Sequence, residues 1–122
     1  VDAAMNDLLR PALYSSWHEI LPLTQHADVK ERPYDVVGPV CESGDFLGQE
    51  RRLALKDDDH LAIASVGAYG FSMSSNYNSR PRAAEILIDG DQAKIIRKRE
   101  VLSELLSGEI PIEIDSSPIH SP

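Results

Sequence analysis

The sequence predicts a mainly β domain with a few short helices. Short runs rich in Ile, Leu and Val recur along the 122 residues, and Gly, Pro, Asn and Asp separate them. An Asp89-Gly90 turn lies between two alternating runs, which is typical of a β-hairpin. Segments with helical spacing are few and short. This pattern favours a β-sandwich or a β-barrel, including Greek-key-like arrangements.

The first part of the chain is predicted to hold one short helix and two strands. Residues 5–14 carry apolar side chains at helical spacing, and Pro11 falls where a first helical turn tolerates it. Residues 17–23 alternate like a strand, 24–33 form a polar loop, and 34–40 form the next strand.

The second part is predicted to hold a core strand, a hairpin and a last short helix. In order, the segments are an irregular helical turn at 46–55, a charged turn at 56–59, a core strand at 60–69, hairpin strands at 83–88 and 92–98, and a helix at 101–106 before Gly108. We expect one domain over residues 1–106 and a flexible tail over 107–122.

Composition excludes several classes of function. The net charge of -8 and pI near 4.8 argue against a nucleic-acid partner. No apolar run reaches the roughly 20 residues of a membrane span. A single cysteine cannot form an internal disulfide, so a reducing compartment such as the cytoplasm is expected. The run from Asp57 to Asp59 offers too few oxygens for a hard cation, so no metal site is expected.

Cys41 and Glu42 are the first candidate functional residues. They follow an apolar run, and the turn-forming residues Ser43 to Asp45 come next, so a loop would present both side chains at a cleft. The alternative is a small buried thiol beside a solvated acid.

Arg10, Tyr14 and Tyr69 form a second candidate group. Arg10 and Tyr14 have i, i+4 spacing, so on a helix they share a face where a guanidinium and a phenol can hold a carboxylate. Gly67 and Gly70 flank Tyr69 and would let the backbone approach a ligand such as a phosphate. The alternatives are that the tyrosines pack against the core and that Arg10 points into solvent.

Three blocks of sequence resemble a known enzyme family. They are MNDLLRPALY at 5–14, GPVCESGD at 38–45 and GAYGFSMSSNYNSRPR at 67–82. In order and spacing they are similar to the C-terminal part of the diaminopimelate decarboxylase family, and the likeness extends from Val1 to about Leu106. Relatives that act on ornithine or arginine carry Cys-Asp-Gly in the central block. Glu42 after Cys41 therefore favours the diaminopimelate branch.

The resemblance implies a pyridoxal-phosphate enzyme of the alanine-racemase-like class, with a TIM-type barrel followed by a β-barrel domain. Such an enzyme converts meso-diaminopimelate to L-lysine and CO2. The resemblance also implies that the Schiff-base lysine lies in an upstream barrel absent from this chain. It implies as well that this chain lacks the N-terminal strands of the family, which complete the β-barrel domain. We therefore expect the fragment alone to be inactive.

The resemblance also assigns roles to five residues. Arg10 and Tyr14 would bind the distal carboxylate of the substrate, and Glu42 would bind its distal ammonium group. Cys41 would be the acid that returns a proton to the decarboxylated carbon. Tyr69 would contact the cofactor phosphate and the substrate. Cys41 and Glu42 would reach into the site of a second subunit, which implies a homodimer.

Two other functions remain open from the sequence. The chain could be a dimerisation module without chemistry, although a thiol and an acid on a glycine-rich loop argue for chemistry. It could also belong to a decarboxylase of carboxynorspermidine or of a basic amino acid. Glu42 and Arg10 together argue against that substrate class.

Overall fold

The computed structural model describes residues 1–112 and has a mainly β architecture. Its elements in chain order are α1 (Arg10–Tyr14), β1 (Ile20–Pro22), β2 (Arg32–Val37), β3 (Phe46–Leu53), β4 (Leu61–Ile63), a 3₁₀ turn (Tyr77–Ser79), β5 (Glu85–Asp89), β6 (Gln92–Arg97) and α2 (Leu102–Leu105). The prediction of a mainly β fold with a few short helices is confirmed. Residues 113–122, most of the predicted tail, lie outside the described part.

The strands pair as three antiparallel two-stranded ribbons: β1 with β4, β2 with β3, and β5 with β6. In the β2–β3 ribbon, Arg32 lies opposite Leu53 and Val37 lies opposite Phe46. Its register shifts on either side of Val36, which bends the ribbon.

A small hydrophobic core lies where β1, the β2–β3 ribbon and the segment before α1 meet. Leu47 of β3 is its most buried member, at 1% exposed. The buried side chains of this cluster are Leu8, Ile20, Val36, Leu47 and Leu53. The core therefore fixes the two segments that flank the loop containing Cys41 and Glu42.

The prediction of an irregular helical turn over 46–55 is wrong, because these residues form β3. The prediction relied on the leucines and arginines of this segment, which are good helix formers. Pairing with β2 overrides that preference. Glu50 adopts a left-handed φ of 51° and its N–H donates to Oδ1 of Asp35 at 2.8 Å, so the strand contains an irregularity.

Other predicted elements are present but shorter. The helix predicted over 5–14 begins at Arg10, with Pro11 in its first turn. The strand predicted over 17–23 covers Ile20–Pro22. The core strand predicted over 60–69 covers Leu61–Ile63, and its side chains are half-buried. It ends because Ser65 has a left-handed φ of 59°.

The predicted hairpin is confirmed. Strands β5 and β6 pair from Glu85 opposite Arg97 to Asp89 opposite Gln92. Gly90 opens the turn with a left-handed φ of 61°, which glycine adopts without steric cost. Within residues 1–112, none of the helices has the length and apolar character that crossing a membrane requires.

Candidate active-site surface

The loop between β2 and β3 presents Cys41 and Glu42 to solvent. Gly38 N–H donates to the carbonyl of Asp45 at 3.1 Å, which closes the base of the loop. Inside it, Glu42 N–H donates to Val40 and Asp45 N–H donates to Glu42. Cys41 is an exposed free thiol, so the alternative of a small buried thiol does not hold.

Asp45, which the sequence indicated only as a turn-forming residue, anchors this loop. Its carboxylate is 4% exposed and accepts from Val40 N–H at 2.6 Å and from Met5 N–H at 2.7 Å. A Cβ on Gly38 would lie 2.5 Å from Asp45 Oδ2 and 2.7 Å from the carbonyl of Ala3. Gly38 is therefore required for this close approach. The buried carboxylate ties the loop to the segment that leads into α1.

Arg10, Tyr14 and Tyr69 come together as one cluster. The guanidinium carbon of Arg10 is 5.4 Å from the ring centroid of Tyr14 and 5.0 Å from that of Tyr69. Both tyrosines are exposed, at 61% and 55%, so neither packs into the core. Contacts with two aromatic rings orient the guanidinium while its N–H groups can still donate to an anion.

Gly70 is required by the backbone turn next to Tyr69. It is buried, and a Cβ there would lie 2.6 Å from the carbonyl of Val66, to which Gly70 N–H donates. Gly70 therefore closes the turn that carries Tyr69, and the close approach of this backbone to a ligand stays a prediction. Gly67 has no atom of the described residues within 4 Å of such a Cβ, so it stands in open space.

Tyr77 is a candidate functional residue that the sequence did not single out. Its Oη donates a hydrogen bond to Oε1 of Glu42, across 35 positions of sequence. This hydrogen bond, the charge of Glu42 and a smaller effect of Cys41 raise the pKa of Tyr77 above its ordinary value of 10.0. The sequence does show that residues 69–82 are rich in aromatic and amide side chains. That pattern does not indicate which residue Tyr77 contacts.

Two hydrogen-bond networks hold residues 69–82 in place. Arg80 Nε donates to Oδ1 of the buried Asn6 at 2.9 Å, and Ser75 N–H donates to the carbonyl of Asn6 at 3.0 Å. Arg82 pairs with Glu100 at 3.1 Å on the other side. Residues 69–82 are thus fastened to the segment before α1, and through Tyr77 to the loop with Cys41.

A match to a family model places the chain among the sheet domains of cofactor-dependent decarboxylases. The family model for the C-terminal sheet domain of pyridoxal-dependent decarboxylases matches residues 1–67, so the chain belongs to this family. Over 109 residues it is 58% identical to the diaminopimelate decarboxylase of Pseudomonas fluorescens, and 57% identical to that of Pseudomonas aeruginosa. Each match covers 89% of this chain and 26% of the relative.

Solved structures agree with this assignment. Diaminopimelate decarboxylase from M. jannaschii in complex with L-lysine matches with a TM-score of 0.85 and 38% identity, covering 91% of this chain and 25% of that chain. The Helicobacter pylori enzyme complexed with L-lysine matches with a TM-score of 0.79 and 48% identity, covering 87% and 26%. The chain thus spans about a quarter of the length of these relatives.

Proposed function

We propose that the chain forms the C-terminal sheet domain, and half of the active site, of a diaminopimelate decarboxylase that converts meso-diaminopimelate to L-lysine and CO2. The 58% identity to such an enzyme over 89% of the chain carries this proposal. The L-lysine bound in two similar structures supports the product, since lysine is what remains when one carboxylate of the substrate leaves as CO2.

In this proposal, the distal end of the substrate is held by two oppositely charged groups. Arg10 would pair with the distal carboxylate in a two-pronged contact, with the Tyr14 hydroxyl beside it. Glu42 would accept from the distal ammonium group. A substrate without the distal carboxylate would leave the Arg10 guanidinium unpaired, which penalises the binding of that substrate.

Pyridoxal phosphate is the cofactor that the family description names. When bound, it supplies an electron sink for the bond that loses CO2. Tyr69 would hold its phosphate, and the exposed phenol beside the Arg10 guanidinium fits a dianion. The lysine that attaches the cofactor would lie in the region of the relatives that this chain does not span.

Cys41 would return a proton to the carbon that has lost CO2. A thiol is a donor at neutral pH, and the exposed position of Cys41 at a loop tip supports delivery to a neighbouring site. We infer that the acceptor site belongs to a second copy of the enzyme, so the active unit would be a homodimer. A free exposed thiol also supports a reducing location, the cytoplasm.

The test is decarboxylation by the full-length polypeptide that contains this chain. CO2 release from meso-diaminopimelate would be measured with added pyridoxal phosphate, for the wild type and for Cys41→Ala. We expect an active wild type and a drop in kcat of about 100-fold or more in the variant, as for loss of a general acid. Ser43→Ala, on the same loop, is the control and should keep its activity. An inactive wild type, or full activity in Cys41→Ala, would contradict the proposal.

An alternative function is a dimerisation module without chemistry. The exposed apolar side chains of the β5–β6 hairpin favour it, since Ile88 and Ile95 are 66% and 69% exposed. The same activity assay separates the two functions. A module without chemistry would give a full-length protein that self-associates and releases no CO2.

A further inference from the structure

Tyr77 connects residues 69–82, which carry Tyr69, to the loop that carries Cys41 and Glu42. It begins the 3₁₀ turn Tyr77–Ser79, and its hydroxyl donates to Oε1 of Glu42. Both side chains are exposed, so packing against the core does not force this contact. The hydrogen bond therefore reflects where the turn places the phenol.

The backbone around Tyr77 is held in an uncommon conformation. Asn78 and Ser79 have left-handed φ values of 57° and 54°, and serine rarely adopts this conformation without support. The support comes from Asn76, whose side-chain amide donates to the carbonyl of Arg80 at 3.1 Å and to Oε2 of Glu100 at 2.7 Å. The turn is thus braced on both sides of Tyr77.

The hydrogen bond restricts a side chain that would otherwise be mobile. An exposed glutamate samples many rotamers, and ordering it on binding costs free energy. A hydroxyl that donates to a carboxylate is among the stronger hydrogen bonds, so it selects one arrangement of Glu42 before a ligand arrives. The bond uses Oε1, and Oε2 can accept from an ammonium group.

We propose that Tyr77 is a positioning residue that fixes the Glu42 carboxylate for recognition of the distal ammonium group of the substrate. This inference rests on the proposed function of the chain. Tyr77 acts through Glu42 and not on the reacting carbon, so its loss weakens substrate binding more than turnover.

The Tyr77 hydroxyl stays a donor at neutral and mildly alkaline pH. Glu42 raises the pKa of Tyr77 above 10.0, so the phenol keeps its proton at neutral and mildly alkaline pH. The kinetic effect of removing the hydroxyl should therefore be the same from about pH 6 to about pH 9.

The experiment is a double-mutant cycle in the full-length enzyme with added pyridoxal phosphate. Wild type, Tyr77→Phe, Glu42→Ala and the double variant are compared by kcat and KM for meso-diaminopimelate. We expect Tyr77→Phe to raise KM by about 3- to 10-fold, the size of one lost hydrogen bond, with kcat within about twofold. In the Glu42→Ala background the same change should have no further effect. Tyr34→Phe, on a half-buried ring that packs against the core, is the control.

A second measurement tests the contact without activity. Alkaline titration of tyrosinate absorbance is measured for wild type and for Tyr77→Phe, and the difference between the two curves gives the pKa of Tyr77. This pKa should lie above 10 in wild type and should be lower in the Glu42→Ala variant. A phenol with an ordinary pKa overturns the contact. If the wild type is active and the effects of Tyr77→Phe and Glu42→Ala on KM are additive, the inference is overturned and the proposed function stands. A wild type that releases no CO2 overturns the proposed function and the inference with it.

Discussion

Single residues decide whether the loop between β2 and β3 keeps its shape. The buried Asp45 carboxylate satisfies the backbone N–H groups of Val40 and Met5, which would otherwise lose their hydrogen bonds. A backbone close enough to make these bonds leaves no room for a side chain at Gly38. The position of Cys41 thus depends on a residue without a side chain.

Gly38→Ala should destabilise the chain by about 2 kcal/mol, because the new Cβ would lie 2.5 Å from Asp45 Oδ2 and 2.7 Å from the backbone carbonyl of Ala3. Urea unfolding followed by circular dichroism measures the change in the free energy of unfolding. Gly67→Ala is the matched control, since nothing in the described part of the chain lies within 4 Å of its Cβ. Equal stability of the two variants would contradict the argument.

At the scale of elements, the sequence predicted which segments exist better than where they end. The β5–β6 hairpin follows from local turn chemistry, so it was predictable. Strand β3 was not predictable in this way. Its residues have local helix propensity, and only the pairing with β2 makes them a strand. The Arg10–Tyr14 contact follows from helical spacing. The Tyr77–Glu42 bond spans 35 positions and has no local signal.

Glu100 joins the end of the β6 region to residues 74–82, and its contribution should depend on pH. Hydrogen bonds from the Arg82 backbone and then the Asn76 amide hold the pKa of Glu100 below its ordinary value of 4.5. A lowered pKa means that the folded state favours the carboxylate. This stabilisation is complete above about pH 4.5 and is lost as the pH falls through the folded-state pKa.

We therefore expect Glu100→Gln to reduce the free energy of unfolding at pH 7, and the difference from wild type to shrink as the pH falls from about 4.5 to about 2. Urea unfolding at several pH values measures it. Glu19→Gln, at an exposed position, is the control and should show a small difference throughout. A difference that stays constant with pH would show that the Glu100 carboxylate is not the source.

The whole molecule combines a small core with an extensive apolar surface. The core lies around β1, β2 and β3, whereas the hairpin projects exposed apolar side chains from both strands. These side chains are Ile86, Leu87, Ile88, Ile95 and Ile96. Exposed apolar side chains in such number promote association in solution.

We expect the 122-residue chain to self-associate with rising concentration, and the double variant Ile88→Lys, Ile95→Lys to reduce that association at least severalfold. Sedimentation velocity over a concentration series measures it. Leu23→Lys, at a position 67% exposed in a different segment, is the control for added charge. If all variants associate equally, the hairpin is not the contact surface.

The hydrogen bond between Arg80 and Asn6 closes a loop of 74 positions, and the length of this loop affects when the contact forms during folding. Closing a long loop costs entropy before the contact returns any stabilisation, so such contacts form late during folding. The hairpin, with a two-residue turn, can close within microseconds. The contact that fastens residues 69–82 should therefore form late, and partial unfolding that releases Arg80 would withdraw Tyr69 from Arg10 and Tyr77 from Glu42 in a single step.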